Sequence, residues 1–111
     1  KDGTGIRDYI HINDLIRGHL KAMKYIDEKN GYHIWNLGSG RGYSVMELIN
    51  RFNNISERKI GFEIVKRRDG DIAEYWADIA KAKEELNWEP EKCLDDMLKD
   101  VINYINNNSL K

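Results

Sequence analysis

The stretch HIWNLGSGRGYS, residues 33–44, joins a short apolar run to a glycine-rich loop and then to the beginning of a helix. The apolar run, residues 33–37, predicts a strand, and the three glycines that follow predict a tight turn in the backbone. Ser44 and Glu47 have the spacing of a capping box, which is typical of a helix N-terminus. A strand that turns directly into a helix is typical of an α/β protein.

The spacing of apolar residues extends this pattern in both directions along the chain. Two further strands are predicted, at residues 7–12 and 60–64. Four segments have helical spacing together with a capping or breaking residue: 13–29, 44–52, 78–86 and 94–105. The predicted order is therefore strand, helix, strand, helix, strand, helix, helix, an α/β arrangement of short strands with about four helices.

Local chemistry also predicts the caps and the inner faces of the helices. Asn13 and Asp78 are the expected N-caps of the first and third helices. The residues expected to face inward on the first helix are Leu15, His19, Ala22 and Ile26. Those expected to face inward on the second helix are Val45, Leu48, Ile49 and Phe52.

Length and charge limit the classes of function. The chain has 111 residues and a net charge of -1, which suits one small domain or a piece of a larger one and argues against a dedicated nucleic-acid binder. Cys93 is the single cysteine, so an internal disulfide is impossible and a reducing, cytoplasmic location is expected. The sequence has no apolar run of membrane-spanning length and no signal-peptide pattern. Because its opening resembles a mid-protein loop, we expect a truncated chain.

Two short motifs are suggestive but weak. The glycine loop could hold a phosphate, yet Tyr43 stands where a dinucleotide fingerprint needs glycine, and a structural turn is the favoured interpretation. The same loop is similar to the first motif of class I S-adenosylmethionine methyltransferases, although Asn36 replaces the usual acidic residue. Tyr25 and Lys29 have the spacing of a dehydrogenase catalytic pair, but they lie at a fraying, acidic helix end and are not expected to catalyse. The three histidines have no metal-ligand spacing.

A more promising set of residues lies at the two sides of the glycine loop: Arg7, Tyr9, Arg68, Asp71 and Tyr75. Two arginines that are far apart in sequence can converge on one diphosphate, because a guanidinium matches phosphate oxygens with paired hydrogen bonds. A nearby aspartate would accept hydrogen bonds from the hydroxyls of a ribose. Surface ion pairs in a polar loop remain the alternative interpretation of the same residues.

Four segments together resemble the UDP-glucose (UDP-galactose) 4-epimerase family of extended short-chain dehydrogenase/reductases. They are DGTGIRDYIHINDLIRGH at residues 2–19, HIWNLGSG at 33–40, RRDGDIAEYWAD at 67–78 and KAKEELNW at 81–88. Order and spacing are kept over nearly all of the chain. The resemblance implies that residues 1–111 are the C-terminal, UDP-sugar-binding portion of such an enzyme, without the N-terminal NAD-binding Rossmann domain.

The resemblance also implies roles for particular residues. Arg7 and Arg68 would hold the diphosphate of UDP-glucose or UDP-galactose, and Asp71 would accept the ribose hydroxyls. Tyr9 would pack or hydrogen-bond nearby, Val45 is a weaker candidate for lining the uridine site, and Tyr75 would line the sugar end. A bulky phenol at position 75 leaves little room, so a preference for sugars without an N-acetyl group is expected. No catalytic, cofactor-binding or metal-binding residue is expected in this chain.

The family's reaction defines the expected cofactor and partners. In the family, NAD removes hydride from C4 of the hexose, the 4-keto sugar turns in the site, and hydride returns to the opposite face. This piece alone is expected to bind neither NAD nor substrate strongly and to be inactive, with apolar faces left exposed by the missing domain. The full-length enzyme is expected to be a homodimer that acts in galactose metabolism. A sibling nucleotide-sugar dehydratase or decarboxylase, a methyltransferase fragment and a silent interaction module are the alternatives.

Overall fold

The structure, a computed structural model, describes residues 2–108. It contains one two-stranded sheet and four helices within that range. The elements, in chain order, are β1 (Ile6–Arg7), α1 (Ile12–Glu28), β2 (Tyr43–Ser44), α2 (Val45–Ser56), α3 (Ala80–Leu86) and α4 (Leu94–Asn108). The predicted α/β class with about four helices is confirmed.

The strand β1 lies between two neighbours. On one side it pairs antiparallel with β2, Ile6 opposite Ser44. On the other side the Ile6 N–H donates to the carbonyl of Ala73 at 2.9 Å, and the Tyr75 N–H donates to the carbonyl of Ile6 at 2.9 Å. These two bonds form a single parallel bridge between Ile6 and Glu74. A strand of two residues thus connects the start of the chain to the segment that follows residue 72.

The strand predictions were mostly wrong. The first strand is Ile6–Arg7 and not residues 7–12, and within residues 2–108 neither 33–37 nor 60–64 is a strand. Alternation of apolar residues reports a local preference, whereas a strand also needs a backbone partner at hydrogen-bonding distance. β2 was missed because it is only two residues long and leads directly into a helix.

The helix boundaries agree with the sequence predictions better than the strands do, because capping residues act locally. The capping box that opens α2 is confirmed: the Glu47 N–H donates to Ser44 Oγ at 3.0 Å, and the Ser44 N–H donates to Glu47 Oε2 at 2.7 Å. The cap of α1 is His11 and not Asn13, because His11 Nδ1 accepts from the Asn13 N–H at 3.0 Å. The other ring nitrogen, Nε2, contacts Asp100 of α4.

The short helix α3 begins one residue later than predicted. Its N-cap residue is Ile79, while the carboxylate of Asp78 accepts a hydrogen bond from the Ala80 N–H at 3.0 Å. The helix ends at Leu86, as predicted, and Asn87 follows with a φ of 50°. Asparagine tolerates this left-handed conformation better than most residues, and Pro90 beyond it cannot continue a helix.

Two small apolar cores hold the helices. The first consists of Tyr43, Leu94 and Leu98 with side chains of α2 packed against it, Leu48, Phe52 and Ile55. Val45 was predicted to face inward but is 38% exposed, because the inner face of α2 begins one turn later. The second core consists of Ala82, Leu86 and Trp88, which join α3 to α1.

The inner face of α1 differs from the predicted one. Ala22 packs against the second core and Leu15 is half-buried, but His19 and Ile26 are exposed. The helix instead buries Asp14 and Gly18, where an added Cβ would lie 2.5 Å from the Leu37 side chain. The close approach of Leu37 to Gly18, and not the spacing of apolar residues along α1, therefore decides which face of this helix is covered.

Asp14 links α1 to the turn that precedes α4. Its carboxylate, 1% exposed, accepts hydrogen bonds from Arg17 Nη2 at 2.9 Å, the Glu91 N–H at 3.1 Å and the Lys92 N–H at 3.0 Å. Trp88 Nε1 donates to the Asp14 carbonyl at 2.9 Å. Burial acts to raise the pKa of this carboxyl, but the hydrogen bonds from Arg17, Lys92 and Glu91 outweigh it and lower the pKa below its usual value.

The substitution Asp14→Asn should destabilise the chain by about 2–3 kcal/mol at neutral pH, because an amide N–H₂ would face one of these donors. Asp27→Asn, an exposed change on the same helix, should alter stability by less than about 0.5 kcal/mol. The lowered pKa of Asp14 adds a second expectation. The loss in free energy of unfolding caused by Asp14→Asn should be full above about pH 4 and should shrink as pH falls through the folded-state pKa of Asp14. Urea unfolding of the variants at a series of pH values measures both effects. A loss of stability that is independent of pH would contradict the stabilising role of the ionised Asp14 carboxylate.

Candidate functional site

A cleft of about 510 Å³ opens between the first residues of the chain and the loop that precedes residue 75. Its walls are residues 3–7 on one side and residues 65–68 and 71–74 on the other. β1 forms the back of this cleft, and Arg7, its last residue, extends into it while Nη1 donates to the carbonyl of Ile6 at 2.7 Å.

Arg7 and Arg68 converge on the carboxylate of Asp71. Arg68 Nε lies 3.0 Å from Asp71 Oδ2, and Arg7 Nη2 lies 4.0 Å from Asp71 Oδ1. The turn from Arg68 to Asp71 is closed by the Asp71 N–H, which donates to the Arg68 carbonyl at 3.3 Å. Gly70, with a φ of 83°, lies within this turn. The Arg67 side chain also donates to the Asp71 carbonyl at 2.6 Å. Two arginines separated by sixty residues therefore face one anionic group.

The exposure of these side chains decides what the cluster can do. The Arg68 side chain is 84% exposed, and those of Arg7 and Asp71 are 32% and 36% exposed. An ion pair this exposed contributes little to stability. A phosphate group from solvent can therefore replace the carboxylate between the guanidinium groups at small cost, and it offers more oxygens for paired hydrogen bonds.

The other three residues of the predicted site do not line the cleft. Tyr9 packs against the first core. Val45 has its N–H bonded to the Gly5 carbonyl at 3.1 Å and a partly exposed side chain beside the cleft wall. Tyr75 is held by its backbone against Ile6 and has a side chain that is 65% exposed. The structure thus brings together Arg7, Arg68 and Asp71, with Tyr75 on the strand segment that leaves the cleft.

The wall formed by residues 3–5 is fixed by Asp2. Its carboxylate accepts hydrogen bonds from Ser44 Oγ at 2.6 Å, Thr4 Oγ1 at 2.7 Å and the Thr4 N–H at 3.0 Å. The bond from Ser44 and then those from Thr4 lower the pKa of Asp2 to about 2. The carboxylate is therefore ionised at all physiological pH values and ties the start of the chain to the cap of α2.

The glycine loop is filled by a side chain of the protein itself. Asp8 accepts hydrogen bonds from the Ser39 N–H at 2.8 Å, Ser39 Oγ at 2.7 Å and the Gly40 N–H at 3.1 Å. At Gly38 an added Cβ would lie 2.5 Å from Asp8 Oδ2 and 2.9 Å from the Ala77 Cβ. The N–H groups that could have held a phosphate already hold a carboxylate. Sequence reasoning missed Asp8, because the glycine loop that it contacts lies 31 residues further along the chain.

The Tyr25 and Lys29 pair has no catalytic geometry. α1 ends at Glu28, and Lys29 Nζ lies 4.9 Å from the centre of the Tyr25 ring, over its face. The same ring packs edge-on against His33 and Trp35 at centroid distances of 5.0 and 5.1 Å. The ammonium group therefore contacts the ring and not the reactive hydroxyl. Among residues 2–108 no group of three or more histidine, cysteine or acidic side chains could hold a metal ion.

Proteins of known function match the chain over nearly its whole length. The UDP-glucose 4-epimerase of Erwinia amylovora is 45% identical over 108 residues, which are 97% of this chain and 32% of that protein. The UDP-glucose 4-epimerase of Bacillus subtilis is 47% identical over 100 residues, 90% of this chain and 30% of that protein. The chain therefore spans about a third of the length of the curated relatives it matches.

Solved structures match as well. The UDP-glucose 4-epimerase from Bifidobacterium longum in complex with NAD+ and UDP superposes with a TM-score of 0.91 at 44% identity, covering 97% of this chain and 32% of that one. The enzyme from Stenotrophomonas maltophila with bound NAD and formylated UDP-arabinopyranose superposes with a TM-score of 0.93 at 40% identity, covering 98% of this chain and 32% of that one.

These matches define first a class and then a family. The fold is that of the C-terminal part of NAD-binding, Rossmann-type nucleotide-sugar enzymes, the extended short-chain dehydrogenase/reductases. A sequence model described as GDP-mannose 4,6 dehydratase matches residues 1–101, and the chain belongs to that family. Its curated relatives named above are UDP-glucose 4-epimerases, whereas a methyltransferase relationship has no support in the fold or in the filled glycine loop.

The substitution Gly38→Ala should destabilise the chain by about 1–3 kcal/mol, because the new methyl group would displace the Asp8 carboxylate. Gly61→Ala is the matched control, since an added Cβ there meets nothing within 4 Å, and it should be neutral or slightly stabilising. Urea unfolding of the two variants measures the difference. Equal stabilities would mean that the glycine loop closes around Asp8 without steric constraint.

Proposed function

We propose that the chain is the UDP-sugar-binding part of a UDP-glucose 4-epimerase, an isomerase that interconverts UDP-galactose and UDP-glucose in galactose metabolism. The observation that carries the proposal is the convergence of Arg7 and Arg68 on Asp71 inside one cleft. Relatives that are 45% and 47% identical, and a superposing structure that contains UDP, support the same function.

In the proposed complex the diphosphate takes the position between the two guanidinium groups. Each charged hydrogen bond to a phosphate oxygen contributes about 1.5–3 kcal/mol. Asp71, released from its arginine partners, is then close enough to the same ligand to accept hydrogen bonds from the ribose hydroxyls. Firm binding of the nucleotide leaves the hexose free to turn, which epimerisation at C4 requires, while the unreactive end prevents release of the intermediate.

NAD, when bound, supplies the removal and return of hydride at C4. The residues of this chain do not fit that cofactor, because the glycine loop is occupied by Asp8 and the described residues offer no other glycine turn at the start of a helix. We assign NAD binding and the catalytic residues to a Rossmann domain that precedes this portion in the complete enzyme. This chain by itself is then inactive, and its task is to bind and orient the nucleotide.

The exposed apolar side chains support such a domain as a partner. Ile12, Ile16, Leu20 and Met23 follow one another along one side of α1 and are each at least half exposed. Phe62, Ile64 and Val65 are similarly exposed. Patches of this kind mark surfaces that a partner covers.

A homodimer of the complete enzyme and a cytoplasmic location belong to the same proposal. No helix within residues 2–108 is long and apolar enough to cross a membrane.

Arg68→Lys in the complete enzyme should weaken UDP binding by about 1–3 kcal/mol, because the planar donor fork is replaced by a point charge. Titration calorimetry with UDP measures this. Arg58→Lys is the matched control: it is an exposed arginine outside the cleft, and its change should leave UDP affinity unaltered. Unaltered UDP affinity in the Arg68 variant would remove that residue from the site.

The side chain of Tyr75 should limit the size of the sugar. We expect turnover of UDP-glucose to exceed that of UDP-N-acetylglucosamine in the complete enzyme, because a phenol leaves less room than a small residue for an N-acetyl group. Tyr75→Ser should narrow the difference between the two substrates. Comparable rates for both substrates in the unaltered enzyme would contradict this role.

The reaction with UDP-glucose also distinguishes an epimerase from a sibling dehydratase. An epimerase converts UDP-glucose into UDP-galactose of equal mass, whereas a dehydratase forms a product that is lighter by one water. Mass spectrometry of the product therefore decides between the two members of the family.

A further inference from the structure

The carboxylate of Asp8 takes the place of a backbone carbonyl in the ladder beside β1. In a regular parallel ladder the bridge at Ile6 and Glu74 would be followed by a bond from the Ala77 N–H to the carbonyl of Asp8. Here the Ala77 N–H donates to Asp8 Oδ2 at 3.1 Å. The side chain thus continues the ladder by one step after the backbone of β1 has turned away.

The same carboxylate is held in turn by the glycine loop. Oδ1 accepts from the N–H and the hydroxyl of Ser39, and Oδ2 accepts from the Gly40 N–H. Gly38 has no room for a side chain beside it. Two segments that are far apart in sequence are therefore joined to the residue directly after Arg7.

This arrangement bears on the cleft because of where each segment leads. Arg7 lies one residue before Asp8, at the end of β1. Asp71 and Arg68 lie in the loop that runs into the Ala73–Ala77 segment. Among residues 2–108, two backbone hydrogen bonds and the Asp8 bond join that segment to β1, so the separation of the two arginines depends on this short ladder.

We infer that Asp8 is a positioning residue, which holds the strand of Arg7 and the segment after Arg68 at the separation at which both arginines can bind one diphosphate. It touches neither phosphate nor sugar. The inference rests on the proposed function, since it assigns a role relative to the same nucleotide.

The test compares UDP with UMP in the complete enzyme. UMP lacks the second phosphate, so the ratio of the two affinities reports how well the arginine pair fits a diphosphate, and a general loss of stability does not change it. In Asp8→Asn the amide N–H₂ faces either the Ser39 N–H or the N–H groups of Gly40 and Ala77. The preference for UDP over UMP should therefore fall about tenfold, with UMP affinity changed much less. A preference equal to that of the unaltered enzyme would overturn the inference.

Two further variants complete the experiment. Asp69→Asn removes the same charge from the exposed turn next to Arg68 and should keep the full preference for UDP. If Asp8→Asn does not fold, Ser39→Ala is the deciding variant. It removes the hydroxyl hydrogen bond to Asp8, together with the local bonds between that hydroxyl and the Arg41 backbone, and leaves the Asp8 carboxylate in place. It should reduce the preference for UDP about two- to threefold. An unaltered preference in Ser39→Ala would then overturn the inference. An unaltered enzyme that binds UDP no better than UMP would overturn the proposed function itself.

Discussion

The carboxylate of Asp8 accepts hydrogen bonds from two segments that are distant in sequence, the loop at residues 39–40 and the N–H of Ala77. Backbone N–H groups that leave water need an acceptor, and a loop or strand end without one is costly. A two-residue strand cannot supply enough carbonyls for neighbours on both sides. The side chain of Asp8 supplies the missing acceptor in place of a backbone carbonyl. The shape of the cleft, whose back wall is β1, depends on this hydrogen bond.

The helices were predictable because their determinants are local. The capping box at Ser44 and Glu47, the acidic first turn of α4 and the left-handed Asn87 before Pro90 all act within a few residues of the chain. The strands were not, because a strand requires a partner from elsewhere. Residues 33–37 are mostly apolar and residues 60–64 alternate, yet the structure pairs neither segment as a strand within residues 2–108.

The site was predictable in part, for a related reason. Arg7, Arg68 and Asp71 were identified from residue types and from the resemblance, and they do lie together. Asp8 and Asp14 were overlooked, since in a sequence they are only two of many acidic residues. Asp14 is buried, and both carboxylates accept hydrogen bonds from N–H groups of residues 31 to 78 positions away. Long-range hydrogen bonding of that kind leaves no period or cap in the sequence.

The shape of the molecule connects the unpaired strands with the proposed partner domain. A compact chain of this length would have a radius of gyration of about 13 Å, whereas the observed value is 17.0 Å. The apolar residues are divided between two small cores, and Ile16, Leu20 and Phe62 remain largely exposed. A partner that pairs with residues 33–37 and covers α1 would bury Ile16 and Leu20 and supply the missing backbone acceptors together. Val65 lines the cleft as well as belonging to the exposed apolar set, but the cleft has no lining residue on α1 or in residues 33–37. The nucleotide site and a partner on those two surfaces can therefore be occupied at the same time.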